Sequence, residues 1–486
     1  MAEEVTLGDV DLTTVKARTV SGIATLISRS FLLQFVATGG FLALSIFLGR
    51  PEIGLFIAVN DLVSILGYFS DIGLAASLIQ KKEQVTLTDL RTTFTIQQII
   101  VLLLLLLTVT LSPAIFNFYH IGSGGTWLFY SLLTAFFLAS LKTIPSVILE
   151  RKLQFKELAA VEVVETIIFY SIAVILAWQG KGVLSYAWAV VFRGIIGTAM
   201  IYWLSPWKIG LAVSISSLKS LLSFGLPYQI NSLVATVKDR FINIILWKII
   251  GADGVGIIGW AQTWSQKPLR FIMDNVTRVT FPSFSRLQDR PAELRQAIER
   301  TLFFITLITF PIVAGLAVFA PQLIQLIPRY SKWQPALLAL VLYCFNSAWA
   351  SVSTPLTNTL NALGKVKTNT YLMLMWTALT WILVPYLAHR FGYNGVAYAT
   401  AIIALSSIVP VIIVKRLTHF SLINSVLKPF LATLAMISVS WLLISLPLIL
   451  NILISYLTFI LIIYLLVGPA LLADTKKILY ALAGKK

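Results

Sequence analysis

The sequence predicts an all-α polytopic membrane protein of about fourteen transmembrane helices. They form two six-helix bundles related by a pseudo-two-fold along the membrane normal, plus two extra C-terminal helices. Three observations carry this reading. Of 486 residues, 58% are apolar and only 12% are charged, against about 25% charged in a soluble domain. The apolar residues run in blocks of about 20, the length needed to cross a bilayer. The basic residues sort to one side of those blocks. A water-soluble multidomain enzyme is thereby excluded. Cys344 is the single cysteine, so no intramolecular disulfide forms. His120, His389 and His419 are far apart and lack metal-ligand spacing. No metal and no cofactor is expected.

The candidate spans lie near 20–48, 53–79, 92–116, 126–149, 158–178, 183–204, 221–247, 254–280, 301–327, 335–360, 369–388, 393–414, 427–447 and 450–472. The first follows an acidic stretch (Glu3, Glu4, Asp9, Asp11) and is too long for a signal-peptide core. The third, fifth, ninth, thirteenth and fourteenth are carried by the charge-free runs 101–112, 167–178, 302–320, 432–446 and 452–466. The second and eighth carry charges, and Pro and Gly punctuate many spans, as membrane helices tolerate. The expected organisation is a cytoplasmic tail over 1–19 and a first bundle over 20–204. A linker over 205–220 leads to a second bundle over 221–415. Two added helices over 416–472 and a basic tail over 473–486 complete the chain.

With the N-terminus in the cytoplasm, 23 of the 37 Lys and Arg residues fall on cytoplasmic segments and 6 on the opposite side. That bias puts both termini inside. It also accounts for most of the net charge of +17 through topology and anionic lipid, so nucleic acid is not an expected partner. The longest outside loop, around 117–126, is short and uncharged. The largest inside segment, 285–300, reads either as an amphipathic helix on the membrane surface or as a plain charged linker.

A repeat is visible at an offset of about 202 residues. Leu48-Gly49 and Gly54-Leu55-Phe56 match Ile250-Gly251 and Gly256-Ile257-Ile258, with Asn60 on Gln262 and Phe69 on Phe271. Further on, with the offset drifting to 213 as loop insertions would make it, Pro145 and Leu153 match Pro355 and Leu363, and Gly182-Val183 matches Gly395-Val396. Six spans per copy is an even number, so both copies insert the same way up, as in parallel-repeat transporters.

Charged residues inside the spans are the candidate site. Arg29, Arg193, Arg240, Lys267 and Arg270 lie deepest. Facing lipid, each would cost about 2.5–3.5 kcal/mol, so they must face a wet cavity or pair within the protein. Lys142, Glu162, Glu165 and Arg278 sit nearer span ends and are expected to reach toward water. On the eighth span Lys267, Arg270, Asp274 and Arg278 are spaced 3, 4 and 4, which gathers them on one helical face. Trp260, Thr263 and Trp264 precede them on or near it. Arginine forks bind phosphate oxygens and tryptophan faces stack on sugar rings. The candidate substrate-binding set is therefore Arg29, Arg193, Arg240, Trp264, Lys267 and Arg270. An ion-pair ladder Arg270–Asp274–Arg278 is the structural alternative. Asp61, Asp71, Asp239 and Asp274 are candidate ion-coupling positions, with capping or pairing as the alternative. Asn60, Gln97, Gln98, Gln229 and Asn231 either line the cavity or join helices.

No catalytic constellation is present. The chain lacks GxxxxGK[ST], which argues against a built-in ATPase. Asp9-Val10-Asp11 imitates a glycosyltransferase DxD, but on an acidic tail without a soluble domain.

Five stretches in order resemble the polysaccharide flippase family of the multidrug/oligosaccharidyl-lipid/polysaccharide exporter superfamily. They are FSDIGLAASLIQ at 69–80 with LTDLR at 87–91, PSVILERKLQF at 145–155, Gly180-Lys181-Gly182-Val183, FPSFSRL at 281–287, and Tyr330-Ser331-Lys332-Trp333. The exopolysaccharide exporters of colanic-acid and teichuronic-acid type look most similar. The resemblance implies two six-helix bundles around a cationic cavity. It implies a polyprenyl-pyrophosphate-linked oligosaccharide as substrate, membrane lipids and a polysaccharide polymerase or export machinery as partners, and the bacterial cytoplasmic (inner) membrane as location. Three other functions compete. A peptidoglycan-precursor flippase would share the plan and chemistry. A cation-coupled drug antiporter needs acidic cavity residues, where the deep charges here are basic. A polysaccharide polymerase or ligase needs a sizeable outside loop.

Overall fold

The computed structural model describes residues 12–81 and 83–468; side chains are described from Arg29 onward, except at 224, 226–228, 230–241, 274, 275 and 278. All regular structure among the described residues is helical. The chain divides into two compact units, Met1–Gly256 and Ile257–Lys486.

The first unit contains α1 (Leu12–Phe47), α2 (Arg50–Phe69), α3 (Leu74–Gln80), α4 (Leu87–Thr110), α5 (Ser112–Tyr119), α6 (Ser123–Leu141), α7 (Thr143–Arg151), α8 (Phe155–Trp178), α9 (Leu184–Leu204) and the first part of α10 (Ile215–Arg286). The second unit holds the rest of α10, then α11 (Pro291–Leu326), a 3-10 turn (Ser331–Ala336), α12 (Leu337–Ala362), α13 (Val366–Leu405), α14 (Ile408–Thr418), α15 (Leu422–Leu442) and α16 (Leu448–Val467).

Local chemistry explains the starts and breaks. Pro51 occupies the first turn of α2, and the Glu52 carboxylate accepts the Gly49 N–H. At α4 the Thr86 hydroxyl accepts from Asp89 N at 3.1 Å, and the Asp89 carboxylate accepts from Thr86 N at 3.0 Å, a reciprocal cap. Inside α10, Gly251 stands at φ 65°, ψ −176°; inside α13, Gly392 stands at φ 60°, ψ −142°. Only glycine takes such angles without strain, so each long helix is two rods joined at a glycine. Twelve helices among the described residues are long and apolar enough to cross a membrane. The two breaks fall between the seventh and eighth and between the eleventh and twelfth sequence spans.

The polarity of the helices is inverted relative to a soluble protein. α4 buries Thr92, Thr93 and Gln97 while exposing Leu102, Leu103 and Leu106. α16 buries Asn451 and Ser455 while exposing Leu457, Ile460 and Leu461. Leucine costs nothing against acyl chains, whereas hydroxyls and amides need partners away from water. Gln97 donates to Thr143 Oγ1 at 2.8 Å and Gln98 to Ser140 Oγ at 3.2 Å. These two glutamines thus join helices. In the second unit α15 and α16 pack together and on α11, where the Tyr456 hydroxyl donates to the Pro311 carbonyl at 3.1 Å and covers Gly315.

The segment 285–300 matches neither alternative, a separate surface helix or a plain charged linker. Pro291 starts α11, and nothing after Arg300 breaks it, so Pro291–Arg300 forms the opening turns of a 36-residue helix. Its charges pair along the rod, Arg295 with Glu299 at 3.0 Å. Glu299 also accepts the Ser421 N–H at 2.7 Å at the start of α15.

Candidate functional site

Four helices of the first unit bring charge together inside apolar surroundings. On α8, Glu162 and Glu165 lie one turn apart on one face. Arg29 of α1 pairs with Glu162. Lys142, at the end of α6, pairs with Glu165, and Arg193 of α9 approaches its other oxygen at 3.5 Å. The Glu165 side chain is 5% exposed and that of Arg193 is 50% exposed. One turn past Arg193, a Cβ on Gly197 would collide with the Glu165 carboxylate, so glycine there permits the approach. Arg193 stands eleven residues before the end of α9, about 16 Å along it at 1.5 Å per residue. Among the described residues the layer joins three cations to two carboxylates. Lys142, Glu162 and Glu165 therefore neutralise partners within the protein, where the sequence reading sent them toward water.

The acidic candidates divide. Asp61 is buried in α2 and accepts from Asn243 Nδ2 at 2.5 Å. Asp71 accepts from Gly73 N at 3.0 Å and Ala75 N at 3.3 Å, and so caps α3. Two turns before Asp61 on α2, Gly54 and Gly256 of α10 lie backbone against backbone, beside an Arg50–Asp253 ion pair of 2.9 Å. These two glycines are the pair that the sequence repeat equates. Asp239, Arg240, Asp274 and Arg278 have backbones in α10, and their side chains lie outside the described residues.

In the second unit α10 carries the remaining candidates. Lys267 Nζ sits 5.5 Å from the centroid of the Trp264 ring, within cation–π range. Arg270 is exposed and donates to Gln266 Oε1 at 3.2 Å. Trp264, Lys267 and Arg270 follow one another at helical spacing, presenting an aromatic plane beside two cations. Trp260 does not join them. It is 3% exposed, stacks on Trp333 at 5.1 Å with planes 10° apart, and donates Nε1–H to the Tyr330 hydroxyl at 3.1 Å. That packing gives the Tyr330–Trp333 stretch a structural role, anchoring the turn before α12. Among the described residues, no three His, Cys, Asp or Glu side chains gather as a metal site.

Sequence reasoning missed Glu162 and Glu165 as partners of Arg29 and Arg193. The available signal was their spacing of three on an apolar helix, together with a glycine one turn from Arg193.

Known proteins resemble this chain in sequence and in fold. Residues 43–338 match the family model described as polysaccharide biosynthesis protein. The teichuronic acid biosynthesis protein TuaB of Bacillus subtilis is 24% identical over 378 residues, covering 75% of this chain and 76% of that protein. The lipopolysaccharide biosynthesis protein WzxC of Escherichia coli is 24% identical over 328 residues, covering 65% and 64%. Among solved structures, the lipid II flippase MurJ in an inward closed conformation aligns with a TM-score of 0.72 at 16% identity, over 92% of this chain and 98% of that one. An outward-facing multidrug resistance transporter of the MATE family aligns at 0.52 and 19% identity, over 82% and 97%. At such identities the likeness is one of fold. The family match spans more than half of the sequence, and the chain belongs to the polysaccharide biosynthesis protein family, as a helical multi-pass membrane protein.

Proposed function

We propose that this protein flips a polyprenyl-pyrophosphate-linked oligosaccharide across the bacterial cytoplasmic membrane by alternating access, supplying polysaccharide export. The observation that carries the reading is the Trp264–Lys267–Arg270 face of α10, cations beside an aromatic ring within a membrane helix. Such a face suits a pyrophosphate and the sugar next to it. Within the first unit, Arg193, half exposed beside the buried Glu165, is proposed with Arg29 and Arg240 as a further set of cations for an anionic substrate. The polyprenyl chain stays in lipid. Fourteen crossings, with α10 and α13 each crossing twice around Gly251 and Gly392, and both termini in the cytoplasm complete the proposal, as do the two bundles over 20–204 and 221–415. The work is transport and not catalysis. Asp61, or an acid of α10 (Asp239, Asp274), takes the coupling cation.

A peptidoglycan-precursor flippase would use the same chemistry. The curated relatives, a teichuronic acid biosynthesis protein and a lipopolysaccharide biosynthesis protein, favour an exported polysaccharide. The test is native mass spectrometry of the purified protein offered a short polyprenyl-pyrophosphate disaccharide and the matching uncharged polyprenyl glycoside. Retention of the pyrophosphate compound alone is expected, weakened by Arg270→Ala. Equal retention of both compounds contradicts the reading.

A further inference from the structure

The segment joining α9 to α10 runs without helix from Pro206 to Ser214, and its side chains alternate. Ile209, Leu211 and Val213 are exposed at 56%, 77% and 60%, followed by Ile215 at 79%. The residues between them face the protein. Gly210 lies against the Arg91 guanidinium, which donates to the Lys208 carbonyl at 3.4 Å. Ala212 N donates to Thr95 Oγ1 and Ser214 N to Thr92 Oγ1, both at 3.1 Å. The strap is thus stitched to α4 along one edge and offers an aliphatic row along the other, about 20 Å long at strand rise. Trp207 anchors its start by packing edge-on to Phe94 at 5.3 Å. Lys208 and Lys219 are exposed at its two ends.

We propose that this strap is a membrane-binding surface: its three aliphatic side chains, with Ile215 at the start of α10, enter the acyl boundary of the cytoplasmic leaflet while Lys208, Lys219 and Arg91 meet anionic headgroups. Three observations name that occupant. The strap links two membrane helices, so it starts and ends at the bilayer. Its row of branched aliphatics is left uncovered, which water disfavours. Its exposed flanking charges, Lys208 and Lys219, are positive and lie on the side where the sequence reading places most basic residues. The inference does not depend on what the protein carries.

Spin labels on Leu211→Cys and Val213→Cys, with Ala212→Cys as the inward-facing control, test it in the full-length protein. Cys344 is buried and stays unlabelled. In phosphatidylcholine–phosphatidylglycerol vesicles, labels at 211 and 213 are expected to collide more often with oxygen than with a water-soluble nickel chelate. The reverse ratio would place the row in water and overturn the proposal. Shielding from both reagents would mean that protein covers it, which overturns the proposal equally. Adding Lys208→Glu and Lys219→Glu is expected to raise nickel access in these vesicles but not in pure phosphatidylcholine. No difference between the two lipids would overturn the headgroup contact.

Discussion

Glu165 is the carboxylate on which Lys142 and Arg193 both depend for a counter-charge. Removing one member of a buried ion pair strands the others and costs about 3–5 kcal/mol. Glu165→Gln is therefore expected to lower the thermal midpoint of the detergent-purified protein substantially, and Glu165→Leu with Lys142→Met to recover most of the loss. An unchanged midpoint for the single variant would remove the pairing from the account. Arg270 makes a different prediction because it is exposed and, among the described residues, donates to the neutral Gln266 amide. Arg270→Ala should leave folded yield intact and lower transport at least tenfold, about 1.4 kcal/mol or more of lost anion binding. Arg270→Lys should recover part of it, since a point charge keeps the attraction and loses the fork. These roles were only half legible in the sequence. The depth of Arg29 and Arg193 was readable from the lengths of the apolar runs. Their partners were not, because Arg29 and Glu162 are 133 residues apart and no local spacing connects them.

At the scale of the element, two glycines set how the helices run. Gly251 occupies a backbone region closed to side chains, so Gly251→Ala is expected to cost about 1–3 kcal/mol, read as a fall in the unfolding midpoint. Gly54 meets the Ala252 carbonyl and the Gly256 amide, and Gly256 meets the Arg50 carbonyl. Backbone cannot swing aside as a side chain can. Gly54→Leu should therefore separate α2 from α10 and reduce folded yield more than Gly39→Leu, a site with open space around it. The sequence repeat matched Gly54 with Gly256 from spacing alone. It could not show that the two touch, because a matching position carries no distance. The helix breaks at Gly251 and Gly392 were legible as gaps between apolar runs. The fusion of Pro291–Arg300 with the following span was hidden by its charge, which resembles a surface helix although helix continuity ignores polarity.

For the whole molecule, composition and the one-sided distribution of Lys and Arg were enough to reach a helical membrane protein, because lipid leaves few alternatives for the backbone. Orientation is open to direct measurement. Reporter fusions after Arg290 and Gly364 are expected to signal from the cytoplasm, and fusions after Gly122, Arg329 and Arg390 from the opposite side. The central claim is that this chain moves a lipid-linked oligosaccharide. It is tested most directly by reconstituting the protein into vesicles with a fluorescent polyprenyl-pyrophosphate oligosaccharide and adding a membrane-impermeant quencher. The quenchable fraction is expected to rise toward completeness with wild-type protein and to stay near the one-leaflet value with Arg270→Ala. Equal quenching with and without wild-type protein, in vesicles where its folding is verified, would contradict it.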